Sequence, residues 1–371
     1  MKFSANSTEL QRALGKLSGV IPSKSTMPIL ENVLFSLNGD TLTLTATDLA
    51  ISLTVSVPVK GIEDGTIAIP AKRLMDTVRS LPDTSTGFTI DTSTNKIRIT
   101  TDNGEYGLTG ENAKEFPAVP SFKGTSEMKI GVDLLKKIIY RTVFAVSTDE
   151  LRPAMMGVLL QAKASDLRAV ATDGHRLVRL SVKMPQPLSL KKDMIVPAKA
   201  LLALLKSVEE GECTIVVDEA HIRFAFTSTV LVSRLIDETY PNYESVIPAD
   251  NDKTLTIKRD DTVASIRRVA LYASVTTHQV RFDVDKTSLR VSAQDVDFGG
   301  EAKETIPCSY SGDGLEIGFN ANYLLDILTH LDSEEVVFRF STPTRAGVIA
   351  PSAGPKDEEV IMLVMPVRLS S

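Results

Sequence analysis

The chain has no tryptophan, two cysteines, four histidines and only 5% aromatic residues in 371. Each shortage excludes something. Cys213 and Cys308 stand far apart with no CxxC pair, so neither a disulfide framework nor a zinc ribbon is expected. His175, His221, His278 and His330 form no HExxH, which argues against most metalloenzymes. GxSxG and GxxxxGK(S/T) are missing, so no nucleophile elbow or ATP-binding P-loop is predicted. GDGLEIG at 312–318 has the wrong glycine spacing for a dinucleotide loop. The longest apolar runs, such as IMLVM at 361–365, are far too short to span a bilayer. MKFSANSTELQRALGKL, residues 1–17, lacks the apolar core of a signal peptide, so secretion is not expected.

What is present is ordinary globular material, 43% hydrophobic and 24% charged. Its length suggests two to four domains at about 100–200 residues each. The material is also repeated. TLTLTATDLAISLTVSVPV (41–59), DLRAVATDGHRLVRLSVKM (166–184) and SLRVSAQDVDFGGEAKETIP (288–307) resemble one another, with Asp48, Asp173 and Asp295 in register. IPAKRLMDTVRSL, VPAKALLALLKSV and GFNANYLLDILTHL, starting at Ile69, Val196 and Gly318, recur at nearly the same period. Amphipathic helices are predicted over 7–21, 131–146 and 260–275, with Ser7, Asp133 and Asp260 at or near their N-caps. EFPAVP (115–120) and TYPNYESVIP (239–248) close the first two copies. Alternating runs such as 96–101 and 213–228 predict strands, Asn-Gly at 38–39 and 103–104 predicts turns, and Pro-rich linkers are expected at 117–127 and 247–253. The chain thus reads as three α+β units, 1–125, 126–250 and 251–371.

The net charge of −6 disfavours a nucleic-acid binder only as a bulk number. Twelve lysines and arginines against six acids fall on the six predicted helices, leaving +6 there and −12 elsewhere. A common surface of such helices would suit a phosphate backbone. Lysine-rich helix faces also serve solubility, and the second helix of the third unit has no cation. If two chains placed twelve helices about 8–10 Å apart around a hole, the clear bore would be roughly 25 Å, enough for a duplex.

The threefold unit, TDGHRL at 172–177, Pro-Asn-Tyr at 241–243, EIGFNANYLLDIL at 316–328 and VMPVRL at 364–369 together resemble the bacterial DNA polymerase III β subunits, the sliding clamps. The resemblance runs over essentially the whole chain. It implies three similar clamp domains per chain and a head-to-tail homodimer, a six-domain ring with helices inside and antiparallel sheets outside. Such a ring encloses double-stranded DNA and holds the replicative polymerase to its template. The resemblance further implies no catalytic activity, no cofactor or metal, no membrane, a cytoplasmic location, loading by an ATP-driven clamp loader complex, and recruitment of other polymerases and repair proteins. Strong base contacts would stop sliding, whereas a modest basic lining gives a salt-sensitive, sequence-blind hold.

Carried over position by position, the peptide-binding pocket comprises Arg152, Met155, Thr172, Gly174, His175, Arg176, Leu177, Pro241, Val246, Asn320, Tyr323, Val364, Met365, Pro366, Val367 and Arg368. Leu177, Val246 and Met365 are expected to form an apolar hole for Leu or Phe anchors, and Arg152, His175 and Asn320 to fix a peptide backbone or a Gln side chain. Lys24 is the family's DNA-contacting position, and Arg73, Lys136, Arg141 and Lys199 are the helix-face candidates. Tyr106 and Leu108 are expected to meet Leu271 and Tyr272 of a second chain.

This sequence also departs from the family. Ser245 stands where arginine is frequent, Val367 replaces a frequent methionine, and APSAGPKDEEV (350–360) is a longer loop. Ser370 and Ser371 extend past the usual Arg-Leu, so partner preference is expected to differ. Without the family, TDGHRL reads as a plain strand-turn-strand. Two alternatives stand beside the clamp: an enzyme built on Asp173-Gly174-His175, and a monomeric peptide-binding scaffold that closes no ring.

Overall fold

The computed structural model describes residues 1–120, 124, 126–163, 165–185, 192–296 and 298–369. Parts of the 117–127 linker, the boundary residue 125, and Ser370 with Ser371 therefore lie outside the described residues. The chain forms two compact units. One comprises Met1–Lys136 with Val196–Leu235, the other Lys137–Ile195 with the segment from Ile236 onward.

Six α-helices occur among the described residues: α1 (Ser7–Leu17), α2 (Ala71–Arg79), α3 (Val132–Thr142), α4 (Ala198–Ser207), α5 (Arg259–Val269) and α6 (Ala321–Thr329). α1, α3 and α5 each follow a strand directly, Lys2–Asn6, Ser126–Gly131 and Lys253–Lys258, so the three repeats can be compared position by position. α1 forms because Leu10, Ala13, Leu14 and Leu17 fall on one buried stripe. Its cap is Asn6, not Ser7: the Asn6 carboxamide oxygen accepts from the amides of Thr8 and Glu9 at 2.9 and 3.1 Å. Ser7 donates instead to the Pro82 carbonyl at 2.6 Å. The first helix of each repeat is also shorter than its apolar periodicity predicts. α3 ends at Thr142, whose hydroxyl bonds back to the Ile138 carbonyl at 2.6 Å, and a 3-10 turn, Val143–Ala145, continues the chain. α5 ends at Val269 before the 3-10 turn Ala270–Tyr272. In both places apolar side chains continue past the helix and keep the pattern alive.

In the first unit, a five-stranded sheet runs in the order Lys60–Glu63, Lys2–Asn6, Ser85–Asp91, Lys96–Thr100, Glu105–Thr109. Phe3 and Phe88 stack inside it at 4.7 Å, with Phe35 packed against both. An eight-stranded sheet crosses from the first repeat into the second, because Ile51–Pro58 pairs antiparallel with Thr229–Arg234, Leu53 opposite Leu231. In the second unit, a nine-stranded sheet does the same one repeat later: Arg176–Lys183 pairs antiparallel with Glu358–Val364, Leu177 opposite Leu363. A four-stranded sheet completes that unit in the order Gly300–Pro307, Ser288–Asp295, Gln279–Val284, Leu315–Asn320. The strands of the middle repeat are therefore shared between the two units. No helix of the described residues is long and apolar enough to cross a membrane.

Candidate partner-binding site and the repeat junctions

The TDGHRL turn lies between Asp166–Thr172 and Arg176–Lys183. The Thr172 hydroxyl donates to the Arg176 carbonyl at 2.7 Å and accepts from the Gly174 amide at 3.1 Å. Asp173 Oδ1 accepts from the amides of His175 and Arg176 at 2.8 and 2.9 Å. Gly174 has φ +91°, a backbone that glycine adopts without cost. Arg152 closes one side: its Nη1 donates to the Asp173 carbonyl at 3.0 Å and its Nε to Asp149 at 2.8 Å.

Arg176 ties this turn to the third repeat. Its guanidinium bonds Asp173 at 3.1 Å, the Phe144 carbonyl at 2.7 Å and Asp326 of α6. It also sits 4.9 Å from the Tyr323 ring centroid and 5.4 Å from that of Phe144. His175 stacks on Tyr323 at 5.8 Å. Asn320 is committed to its own helix: its carboxamide oxygen caps α6 through the Asn322 and Tyr323 amides, and its nitrogen donates to Thr277 at 3.2 Å.

The C-terminal segment runs over this surface. The Met365 amide donates to the His175 carbonyl at 2.8 Å, and the Val367 amide to Gly318 at 2.8 Å. Gly318 is required there, since a Cβ would lie 2.8 Å from the Val367 carbonyl oxygen. Leu177 belongs to a buried cluster with Leu159, Val170, Ile195, Tyr243, Ala346 and Leu363. Val246 and Met365 stay 53% and 41% exposed, while Val364 and Thr172 are buried. Met155, Pro366 and Val367 are half-buried, and Pro241 and Arg368 exposed. All sixteen residues expected in the pocket fall within the second unit. Ser245 is exposed, its hydroxyl turned back to the Asn242 carbonyl.

The first unit carries a matching turn. The Thr47 hydroxyl donates to the Ile51 carbonyl at 2.8 Å and accepts from the Leu49 amide at 3.1 Å, while Asp48 Oδ1 accepts from the amides of Ala50 and Ile51 at 3.0 and 2.7 Å. Leu49 takes the place of Gly174 at φ +74°. Here the second residue of α4, Lys199, pairs with Asp48. The two junctions also share an ion pair at the tenth residue of the leading helix. Lys16 of α1 meets Glu209 at 3.0 Å, and Arg141 of α3 meets Glu358 at 3.1 Å and Asp332 at 2.7 Å. Burial pushes the Glu209 carboxyl up, but hydrogen bonds from Ser228, Thr229 and Lys16 outweigh it and hold the pKa at about 2.

These contacts revise the basic-helix expectation. Arg141 is 7% exposed and its charge is committed to Glu358 and Asp332, so it offers no free face to DNA. Lys199 is engaged by Asp48. Lys24 and Arg73 are exposed and Lys136 half-buried. Of the candidate interface residues, Tyr106 and Leu108 lie on the edge strand Glu105–Thr109, and Leu271 and Tyr272 on the 3-10 turn after α5. Leu271 is 81% exposed.

The ion-pair positions escaped the sequence reading although a signal was there. Aligning the repeats at their strand-to-helix boundaries places Lys16, Arg141 and Arg268 at one position. At two of the three leading helices this cation is a junction device before it is a DNA contact, whereas Arg268 pairs with Glu304 of its own repeat at 2.7 Å.

Three α+β repeats joined by backbone pairing, with an apolar and cationic surface turn at the second joint, define a repeat-built binding protein. Family models of the DNA polymerase III beta subunit match residues 1–120 as its N-terminal domain, 129–242 as its central domain and 244–368 as its C-terminal domain. The chain is 32% identical to the beta sliding clamp of Pseudomonas aeruginosa over 372 residues, covering 100% of both chains. It is 31% identical to that of Chlamydia pneumoniae, covering 100% of this chain and 99% of the relative. It is similar to the crystal structure of a Bartonella birtlesii sliding clamp bound to griselimycin, with TM-score 0.94 and 31% identity over 100% of both chains. The corresponding Pseudomonas aeruginosa structure, also bound to griselimycin, has TM-score 0.93 and 32% identity over the same coverage. The chain belongs to the DNA polymerase III beta subunit family. It is built of three clamp domains, and its function is that of a DNA sliding clamp, a replication processivity factor without catalytic activity.

Proposed function

We propose that two copies close head to tail into a six-domain ring, helices inside and sheets outside, that encircles duplex DNA. The carrying observation is a joint left unmade. In each compact unit, the strand after the Asp-marked turn of one repeat pairs with the last strand of the next. The third such pair would be Gly300–Pro307 with Glu105–Thr109, and among the described residues both are free sheet edges. Exposed edges invite strand addition, and a second copy satisfies both ends at once. The side chains agree: Phe144, thirteenth residue from the start of α3, stacks on His330 at 4.0 Å, and its counterpart after α5 is the exposed Leu271. Tyr106 and Leu108 would receive Leu271 and Tyr272 of the second copy. Domain limits at 125 and 250 follow from the same repeat.

Lys24, Lys136 and Lys199 are proposed to face DNA with a salt-sensitive hold, while Arg73 lies beside the open edge strand Glu105–Thr109. A clamp loader complex opens the ring, and the protein works in the cytoplasm. Loaded protein is expected to persist on a nicked circle at high salt and to run off a linear end. Equal loss from both DNAs would overturn the ring.

The turn around His175 with Tyr323, Met365 and Val246 supports a second reading of the same chain: a pocket for short peptides with Leu or Phe anchors, through which polymerases and repair proteins attach. Two relatives crystallised with griselimycin bound support a ligand site on clamps of this family. Thr172, Leu177 and Val364 form its floor, Arg152, Met155, Gly174, Pro241 and Pro366 to Arg368 its walls, and Arg176 and Asn320 position Tyr323. Met365→Ala with Val246→Ser is expected to weaken a fluorescent anchor peptide at least tenfold, since a few buried anchors dominate such sites. Unchanged peptide affinity would place the site elsewhere.

A further inference from the structure

The turn that opens the unmade joint differs in kind from the other two. Phe298 stands three residues past Asp295 and donates its amide to Asp295 Oδ1 at 3.3 Å. Arg176 does the same to Asp173, and Ile51 to Asp48. Phe298 is therefore the counterpart of Arg176. Phe298 is 83% exposed and Val296 82%. Tyr272 borders the same patch, its Cδ1 within 3.5 Å of where a Cβ on Gly300 would be. At the second joint, Arg176 lies over the ring of Tyr323, the third residue of α6. The third residue of α2 is Arg73. Arg73 and Lys72 line a groove of about 1230 Å³ with Ile97, Arg98 and Leu108, beside the free edge Glu105–Thr109.

We propose that Phe298 of one copy seats in this groove of a second copy, its ring against the Arg73 guanidinium. The contact is the second joint with its polarity exchanged: the cation moves from turn to helix and the aromatic from helix to turn. It rests on the ring reading above and specifies how that ring is latched. The occupant is a second copy because turn and groove sit at the two ends that the repeat leaves unpaired, and because the groove sets the Arg73 guanidinium beside apolar Leu108 while Asp76, Asp91 and Glu105 offset most of its positive charge, which suits an aromatic ring better than an anion. Arg73 thereby acts in ring closure and not on DNA.

The test is a dilution series followed by sedimentation and light scattering. Phe298→Ala and Arg73→Ala are each expected to raise the dimer dissociation constant about tenfold, as for central aromatic and arginine anchors. The double variant should be little weaker than Phe298→Ala, because both remove one contact. Both side chains are exposed, so the monomer fold is retained. The chain has no tryptophan, so Phe298→Trp provides a single indole, excited selectively above the tyrosine band, whose spectrum shifts to the blue on dimerisation. A wild-type chain that stays monomeric overturns the ring and the latch together. A dimeric wild type whose Phe298→Ala variant dissociates no more readily, or a Phe298→Trp variant whose emission is blind to dilution, overturns the latch alone.

Discussion

Replacing Leu271 and Tyr272 together by alanine is expected to turn the dimer into monomers and abolish retention on closed DNA. The two side chains follow α5, Leu271 at 81% and Tyr272 at 48% exposure, and no core of their own unit covers them. At the second joint the same stretch is filled: Phe144 stacks on His330, and Tyr140 packs on the same ring at 4.4 Å while donating to the Thr329 carbonyl. At the first joint it is Gly19, where a Cβ would touch Ala203 at 3.6 Å. A position half-buried against the next repeat at two joints, and 81% exposed after α5, is where the proposed second copy would pack. Truncating two apolar anchors at the centre of an interface costs on the order of 2 kcal/mol each, together raising the dissociation constant several hundredfold or more. Light scattering at low micromolar concentration reads the mass, and a far-ultraviolet spectrum checks the fold. A double variant that keeps the dimer mass would move the interface away from α5.

Arg141→Met is expected to destabilise the second unit by about 3 kcal/mol. Arg141 and Glu358 are both nearly buried, 9% and 7% exposed at the side chain, and removing one partner of a buried pair leaves the other's charge uncompensated. The loss falls at the low end of the usual range because Lys137 also reaches Glu358. For a domain of this size that is a fall of roughly 6–12 °C in melting temperature. Arg141→Met with Glu358→Met should recover most of it, since an apolar pair of similar volume avoids the desolvation cost of the ions. Calorimetry separates this from a DNA role: a DNA-contacting arginine would lower retention on circles and leave the melting temperature unchanged. Such a result would restore Arg141 to the bore.

The repeat was legible because β-alternation, the Asp-marked turn and the amphipathic helices recur in one order. The pocket was legible only through the resemblance, since TDGHRL by itself describes a turn and Thr47 to Ile51 makes the same turn without His175 or Arg176. Arg141 was misread as a surface cation for a physical reason: helical spacing tells which face a side chain takes, and not whether a neighbouring repeat covers that face. Asn320 was expected to face a ligand, but as the residue before α6 it satisfies the helix's first amides, a demand local to the backbone.

By itself the sequence determined the number of repeats, the α+β character of each and the register of their helices, because these depend on spacing within a few turns of chain. Only the tertiary structure decided which strand of one repeat pairs with which strand of the next, and so which edges stay open. It alone showed which cations are neutralised inside a joint and that Phe298 is left in solvent. Those outcomes depend on residues more than a hundred positions apart meeting in space, and no local pattern carries that information.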